Sequence, residues 1–461
     1  MTFTSAAYLA FLAAAFLIHW TLPSRARNAF LVIASYVFYC SWEWRHGPLL
    51  AGISLFNWFL GSRVLPRAST TRPLFFGIAG NLAVLVFFKY TGFLAENLGA
   101  LGKLVGLPVL EIHVPEIALP LGVSFFVFQG IAYLVDVAAG EEPLGFLDFL
   151  VFKSFWAQLV AGPILRPAEM RDDIRRERVL ADGDVSVGAR RILVGFAKKI
   201  VLADTLAGAA DAVYAPWAHP TGIDAIVGTV AFGLQVYFDF AGYSDIAFGT
   251  ARLFGFHFPE NFDWPYASCS PQEFWTRWHR TLSSWIRDYV HAPLAFATRN
   301  RPRLTYAWVF VAMVACGLWH GARWTFVLWG AWHGLLLVLD RTVFRAFFGA
   351  RGWLALAATF FLVNVGWVLF RSASLAQAKA IFAAGSTLEG GLATSALGVR
   401  DVAIVGAVLA GHGVARLLSR VPVPELSRLR MLEAPLYAGL LLCVIAFSFA
   451  SEPRLFIYFQ F

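Results

Sequence analysis

Apolar residues fall in long runs along the whole chain, separated by short stretches that hold most of the Gly, Pro, Arg, Lys, Asp and Glu. The runs are 6–22, 30–44, 49–65, 75–91, 117–137 and 149–165, then 225–254, 306–320, 324–340, 354–369, 402–418 and 435–449. A bilayer-spanning helix takes about 20 apolar residues, so the pattern predicts close to a dozen membrane helices, the short ones re-entrant or tilted. The run 192–213 carries Lys198 and Lys199 and is expected at an interface instead. Pro120 and Gly122 before Ser124 and Gln129, and Ala161-Gly162-Pro163 after Gln158, read as broken helices. Irregular backbone is tolerated at membrane depth where it lines a cavity or is buried in protein.

One segment has a different periodicity. Trp275, Trp278, Leu282, Trp285 and Tyr289 recur at spacings of three and four, with Arg277, Arg280, Ser284, Arg287 and His291 on the other side. At about 100° per residue these are two faces of one helix over 271–292, expected to lie in the headgroup plane. Ser270, Pro271 and Glu273 form its N-terminal capping signal. Weaker amphipathic character recurs at 376–382.

Composition supports a membrane class. The 461 residues are 59% hydrophobic and 14% charged, with 44 Phe and 17 Trp. Soluble domains carry about a quarter charged residues, and aromatic side chains suit membrane interfaces. The net charge of +8 sits mostly in short loops, which points to orientation and to lipid headgroups, not to nucleic acid. Arg25 and Arg27 follow the first run, Arg63, Arg67 and Arg72 the third, and Arg45 alone the second. The positive-inside rule then places the N-terminus outside and the Arg-rich region 166–191 in the cytoplasm. Met1-Thr2-Phe3-Thr4-Ser5 has no basic n-region, so the first run reads as an uncleaved span. Cys40, Cys269, Cys316 and Cys443 show no metal-ligand spacing and read as apolar or interfacial residues. No solenoid repeat, low-complexity tract or long linker breaks the chain, which is read as one membrane domain over 1–461.

Ionisable groups in apolar runs are costly and mark candidate chemistry. His320 lies in Gly317-Leu318-Trp319-His320-Gly321, and His333 in the second Trp-His-Gly of the chain, Trp332-His333-Gly334. An imidazole can take a proton from a hydroxyl and return it, or accept an acyl group; the alternative is interfacial anchoring with Trp319. Asp239 and Asp245 stand in the run 225–254, able to orient a histidine, bind a cation, or form a helix–helix hydrogen bond. Arg277, His279, Arg280 and Arg287 mark the amphipathic segment, the arginines suited to a phosphorylated donor or to lipid phosphates. Ser124 and Gln158 are candidate cavity residues that could equally pack. No Walker loop, dinucleotide fingerprint or Gly-x-Ser-x-Gly elbow is present, against ATP-driven pumps, Rossmann dehydrogenases and ordinary serine hydrolases.

Six segments in order resemble the membrane-bound O-acyltransferase (MBOAT) family. They are Pro120-Leu121-Gly122-Val123-Ser124-Phe125-Phe126, Gln158-Leu159-Val160-Ala161-Gly162-Pro163-Ile164, 237–245, Glu260-Asn261-Phe262-Asp263-Trp264-Pro265-Tyr266, 274–289 and 317–334. They resemble most the bacterial branch typified by the alginate O-acetyltransferase membrane subunit, with core motifs at 118–345. The resemblance implies an all-α polytopic membrane protein, a ring of about 11–12 tilted transmembrane and re-entrant helices around a central tunnel, with amphipathic helices on the cytoplasmic side. It implies His320 as the catalytic residue and His279 as a second functional position; Asp239, Asp245, His333, Trp319, Gln158 and Ser124 are read beside them as supporting or tunnel residues. It also implies no bound cofactor or metal, acetyl-CoA as cytoplasmic acyl donor, a location in the bacterial inner membrane, and polysaccharide-secretion components as partners. Acetyl would pass to a periplasmic, SGNH-hydrolase-like acetyltransferase that modifies an exopolysaccharide such as alginate. Competing readings are D-alanyl transfer to teichoic acid from a carrier protein, a solute transporter, and a scaffold for polysaccharide secretion.

Overall fold

A computed structural model describes residues 1–64, 72–106, 117–181, 183–216, 218–349, 352–387, 397–418, 433–450 and 454–457. Among them the regular structure is helical and contains no strand. Most long apolar runs are realised as helices with nearly the expected limits, among them Ala6–Thr21, Gly222–Leu253, Leu304–His320 and Trp324–Arg341. Arg67 and the end of the third run lie outside the described residues. By length and composition three described helices are long and apolar enough to cross a membrane: Arg72–Leu104, Gly222–Leu253 and Trp353–Arg371. The first is longer than its apolar run, because a π-helical turn at Val86–Tyr90 carries the helix on through Thr91–Leu104. Others are shorter; the 16 residues of Ala6–Thr21 reach roughly 24 Å at the helical rise, under the ~30 Å of a bilayer's hydrocarbon.

The chain forms two compact units, Met1–Gly188 with Ala247–Pro259, and Ala189–Ile246 with Glu260–Phe461. In the first, three helices close on a polar clamp. Asn81 donates to Asn57 Oδ1 at 2.7 Å and Asn57 donates back at 3.2 Å, while each amide also donates to the carbonyl four residues earlier on its own helix. Gly130 of the helix Val123–Ala139 lies against this pair, where a Cβ would come within 2.7 Å of both side chains. In hydrocarbon such paired amides and small residues substitute for hydrophobic attraction between helices. The expected breaks are present: Gly122 has φ +73 at the start of Val123–Ala139, and the helix Trp156–Leu159 ends in a turn before Gly162-Pro163. A further break, which the sequence did not indicate, divides the run 149–165 at Phe155 into Phe146–Ser154 and Trp156–Leu159.

The second unit holds the antiparallel pair Leu304–His320 and Trp324–Arg341. Glycine makes their contact possible. A Cβ on Gly317 would strike Phe326 O, one on Gly330 would strike Met313 O, and one on Gly334 would lie 3.0 Å from Phe310 Cα. Backbone therefore meets backbone, and the chain turns back within three residues of His320.

The amphipathic segment is the clearest departure from the pattern. It is not one helix over 271–292. It forms Pro271–Arg277 and Arg280–Ile286, with a π-helical turn at Arg287–His291, and it breaks at His279 with φ +41 and ψ +56. The Trp face persists across the break, but Trp275, Trp278 and Trp285 are buried in protein and not laid against lipid. The capping signal holds: Ser270 Oγ accepts the Glu273 N–H at 3.1 Å and Glu273 Oε2 accepts the Cys269 N–H at 2.8 Å.

Candidate active site

Three imidazoles from two stretches of sequence converge in the second unit. His320, the last residue of its helix, is buried, its ring 4.9 Å from Trp319, 5.1 Å from Trp329 and 5.1 Å from Phe370. His333 stands one helical turn beyond Trp329, 4.9 Å from that ring and 5.2 Å edge-on to Trp275. His279 lies 6.2 Å from Trp319 and 4.6 Å edge-on to Phe240. Trp319 thus borders His279 and His320, and Trp329 borders His320 and His333. Trp278, Trp367, Tyr266 and Phe262 extend the aromatic wall, with Trp278 and Trp367 rings 5.0 Å apart.

The backbone holds His279 in place from both sides. Asp263 N–H donates to Arg277 O and Arg280 N–H donates to Asn261 O, each at 2.9 Å, a two-rung ladder around the kink. Trp264, at the other end of that ladder, also has a positive φ of +47. A left-handed conformation costs a non-glycine residue about 1–2 kcal/mol, and such strain clusters at functional sites. His279 Nδ1 lies 3.2 Å from Asn261 Oδ1. Burial pushes its imidazole pKa down to about 3, so this ring is neutral at ordinary pH.

Asp239 and Asp245 face cations, not the histidines. Asp239 accepts from Lys199 Nζ at 2.6 Å and from the Ile457 N–H at 2.8 Å. Lys199 also pairs with Asp204 at 2.8 Å. Asp245 is held by Arg191 and Lys198, each at 2.5 Å. Of the arginines, Arg277 pairs with Glu273 at 2.8 Å and Arg287 with Asp288 at 2.6 Å, while Arg280 is exposed. Ser124 and Gln158 belong to the first unit: Ser124 Oγ lies 3.5 Å from Lys89 Nζ, and the Gln158 amide donates to Phe152 O.

Sequence reasoning missed four residues near these groups. Trp329 touches two of the histidines, and Asn261 one. Lys199 holds Asp239, and His412 packs 5.0 Å from Trp264 and 5.3 Å from Tyr237. Asn261 had a signal, its place in the segment Glu260–Tyr266 of the family pattern. Lys199 had one too, a lysine inside an apolar run. His412 had the same signal, a histidine inside the apolar run 402–418.

A cluster of buried imidazoles walled by indoles suits proton transfer in an environment that excludes water. In an all-helical membrane protein such a cluster is compatible with membrane acyl transfer. The chain belongs to the MBOAT, membrane-bound O-acyltransferase family, whose model matches residues 116–376. It is an O-acyltransferase of the membrane. It is 39% identical over 396 residues to the probable alginate O-acetylase AlgI of Pseudomonas putida, covering 83% of this chain and 80% of that one. It is 32% identical over 409 residues to the peptidoglycan O-acetyltransferase of Helicobacter pylori, covering 80% and 76%. Similarity to the teichoic acid D-alanyltransferase of Bacillus subtilis is 27% over 228 residues, covering 47% and 58%.

Proposed function

We propose that this protein takes acetyl from a cytoplasmic thioester donor, acetyl-CoA, and passes it across the bacterial inner membrane for O-acetylation of an extracellular polysaccharide such as alginate. A periplasmic acetyltransferase completes the modification, alongside polysaccharide-secretion components. One observation carries the reading: His279, His320 and His333 are strung along two shared indoles, Trp319 and Trp329, inside an aromatic wall. The greater similarity to O-acetylating relatives supports acetyl over D-alanyl transfer.

In this scheme His320 is the general base and His279 assists. The acceptor O–H bond breaks as the ester C–O bond forms, and the imidazole holds the proton. The C–S bond of the thioester breaks, and the proton returns to the leaving thiolate. The dry aromatic wall holds donor and acceptor together and keeps water from the thioester. The backbone-tight turn after His320 fixes where that ring stands.

The test is His320→Ala in membrane-inserted protein, supplied with acetyl-CoA or with a D-alanyl-loaded carrier protein. Acetyl transfer is expected to fall by roughly 10²–10⁴-fold, the usual contribution of a general base. Wild-type polysaccharide acetylation in cells carrying the variant would rule out the assignment. Transfer from the carrier protein alone would move the chain to the D-alanyl branch.

A further inference from the structure

We propose that Asn261 is a positioning residue for His279: its carboxamide oxygen fixes the ring in the Nδ1–H form, leaving Nε2 as the basic nitrogen. The inference rests on the assignment of His279 to the transfer site, and it deepens that assignment by naming the reactive atom.

The argument begins with the orientation of the amide. Asn261 is fully buried. Its Oδ1 lies 3.3 Å from the backbone N of Thr281 and 3.0 Å from Thr281 Oγ1, while Nδ2 lies 3.2 Å from Ser244 Oγ. A backbone N–H can only donate. The atom facing Thr281 N is therefore the oxygen, because the flipped amide would set two donors against each other. That same oxygen stands 3.2 Å from His279 Nδ1. An amide oxygen can only accept, so Nδ1 carries the hydrogen. A neutral imidazole has one N–H, and the other nitrogen then bears the lone pair.

The surrounding structure serves this one contact. The left-handed turn at His279 brings its own ring and, two residues on, the Thr281 N–H to the same oxygen. The Arg280 N–H to Asn261 O bond ties the backbones of the two partners together. Ser244 anchors the far end of the amide from the helix Gly222–Leu253. Four hydrogen bonds and one strained residue thus converge on a single carboxamide. The arrangement has the logic of a base whose far nitrogen is held by an acceptor, which sets tautomer and ring angle together.

The experiment uses full-length protein labelled with [15N]histidine in lipid nanodiscs, with the His279→Gln difference spectrum to assign the ring. The expected signal is a neutral imidazole protonated at Nδ1. In Asn261→Leu, which keeps volume and loses the acceptor, that signal should move to the Nε2–H form or to a mixture, and kcat should fall roughly 10²-fold with KM little changed. Asn261→Asp restores an acceptor and should recover at least a tenth of wild-type kcat along with the Nδ1–H signal. A wild-type His279 protonated at Nε2 would overturn the inference even if no Asn261 variant folds. So would a loss in Asn261→Leu that appears in KM and not in kcat. Full transfer activity in His279→Gln, with the Nδ1–H signal intact in wild type, would instead remove His279 from the reaction and leave its tautomer as found.

Discussion

The second unit buries polar groups in two contrasting ways. Around Lys199 every charge meets an opposite one: Asp204 and Asp239 flank the lysine, and one turn and a half along the same helix Asp245 meets Lys198 and Arg191. Around His279, His320 and His333 the packing is largely aromatic, with Asn261 a polar contact of His279. The two regions share the helix Gly222–Leu253, where Asp239 faces Lys199 and its neighbour Phe240 packs on His279. Paired ions set a geometry and resist change, because removing one partner strands the other in a poor solvent for charge. Imidazoles packed among indoles carry no fixed ion pair, and as neutral rings they cost less to bury than a charge does. On the proposed mechanism, one region serves folding and the other reactivity.

The largest effect is expected from Lys199→Met. It leaves Asp239 and Asp204 buried without their cation and should destabilise the protein by about 3–5 kcal/mol. The loss should be visible as a lower midpoint of denaturation in detergent. The double variant Lys199→Met, Asp239→Leu should regain part of it, since two apolar residues replace one broken pair. A single variant within about 1 kcal/mol of wild type would contradict this account, because exposed pairs are worth that little.

The contrast between regions was only half legible in the chain. Helix positions were readable because hydrocarbon demands long apolar runs, and Ala6–Thr21, Gly222–Leu253 and Trp324–Arg341 follow them closely. The kink at His279 was not, since Trp275, Trp278, Leu282 and Trp285 keep helical spacing and burial across it. Periodicity reports which side is apolar, not whether the axis is continuous or whether lipid or protein covers that side. Asp239 was conspicuous as a buried acid, but its partner lies 40 residues away, beyond what local pattern encodes. His279, His320 and His333 were each found singly; the indoles that join them are tertiary contacts.

A subtler test separates strain from chemistry at the kink. His279→Ala and His279→Gly leave nearly the same hole, so their difference reports the backbone alone. Glycine normally makes a helix or strand less stable than alanine by about 0.5–1 kcal/mol. At φ +41 the order should reverse, with the glycine variant more stable by about 1 kcal/mol. Both variants should lose acetyl transfer to a similar extent. Alanine as the more stable variant would mean that the left-handed turn relaxes without the imidazole, and that His279 itself imposes the strain.

The smallest effect is expected from His333→Phe, and it bears most directly on the division between the two regions. His333 is buried, and among the described residues neither of its ring nitrogens has a hydrogen-bond partner. An unpaired buried polar group costs about 1–3 kcal/mol. Phenylalanine removes that cost and keeps an aromatic ring against Trp275 and Trp329, but it is somewhat larger, and Gly366 packs closely on the imidazole. These terms oppose, so stability should stay within about 1 kcal/mol of wild type, overpacking and relief being of similar size. Transfer should fall less than about fivefold, well short of the loss from a general base. A fall of 10²-fold in a variant of unchanged stability would put His333 in the reaction itself, as the third proton-handling group and not a wall of the site. A stability loss beyond about 2 kcal/mol would instead mean that overpacking against Gly366 outweighs the relief of the unpaired nitrogens.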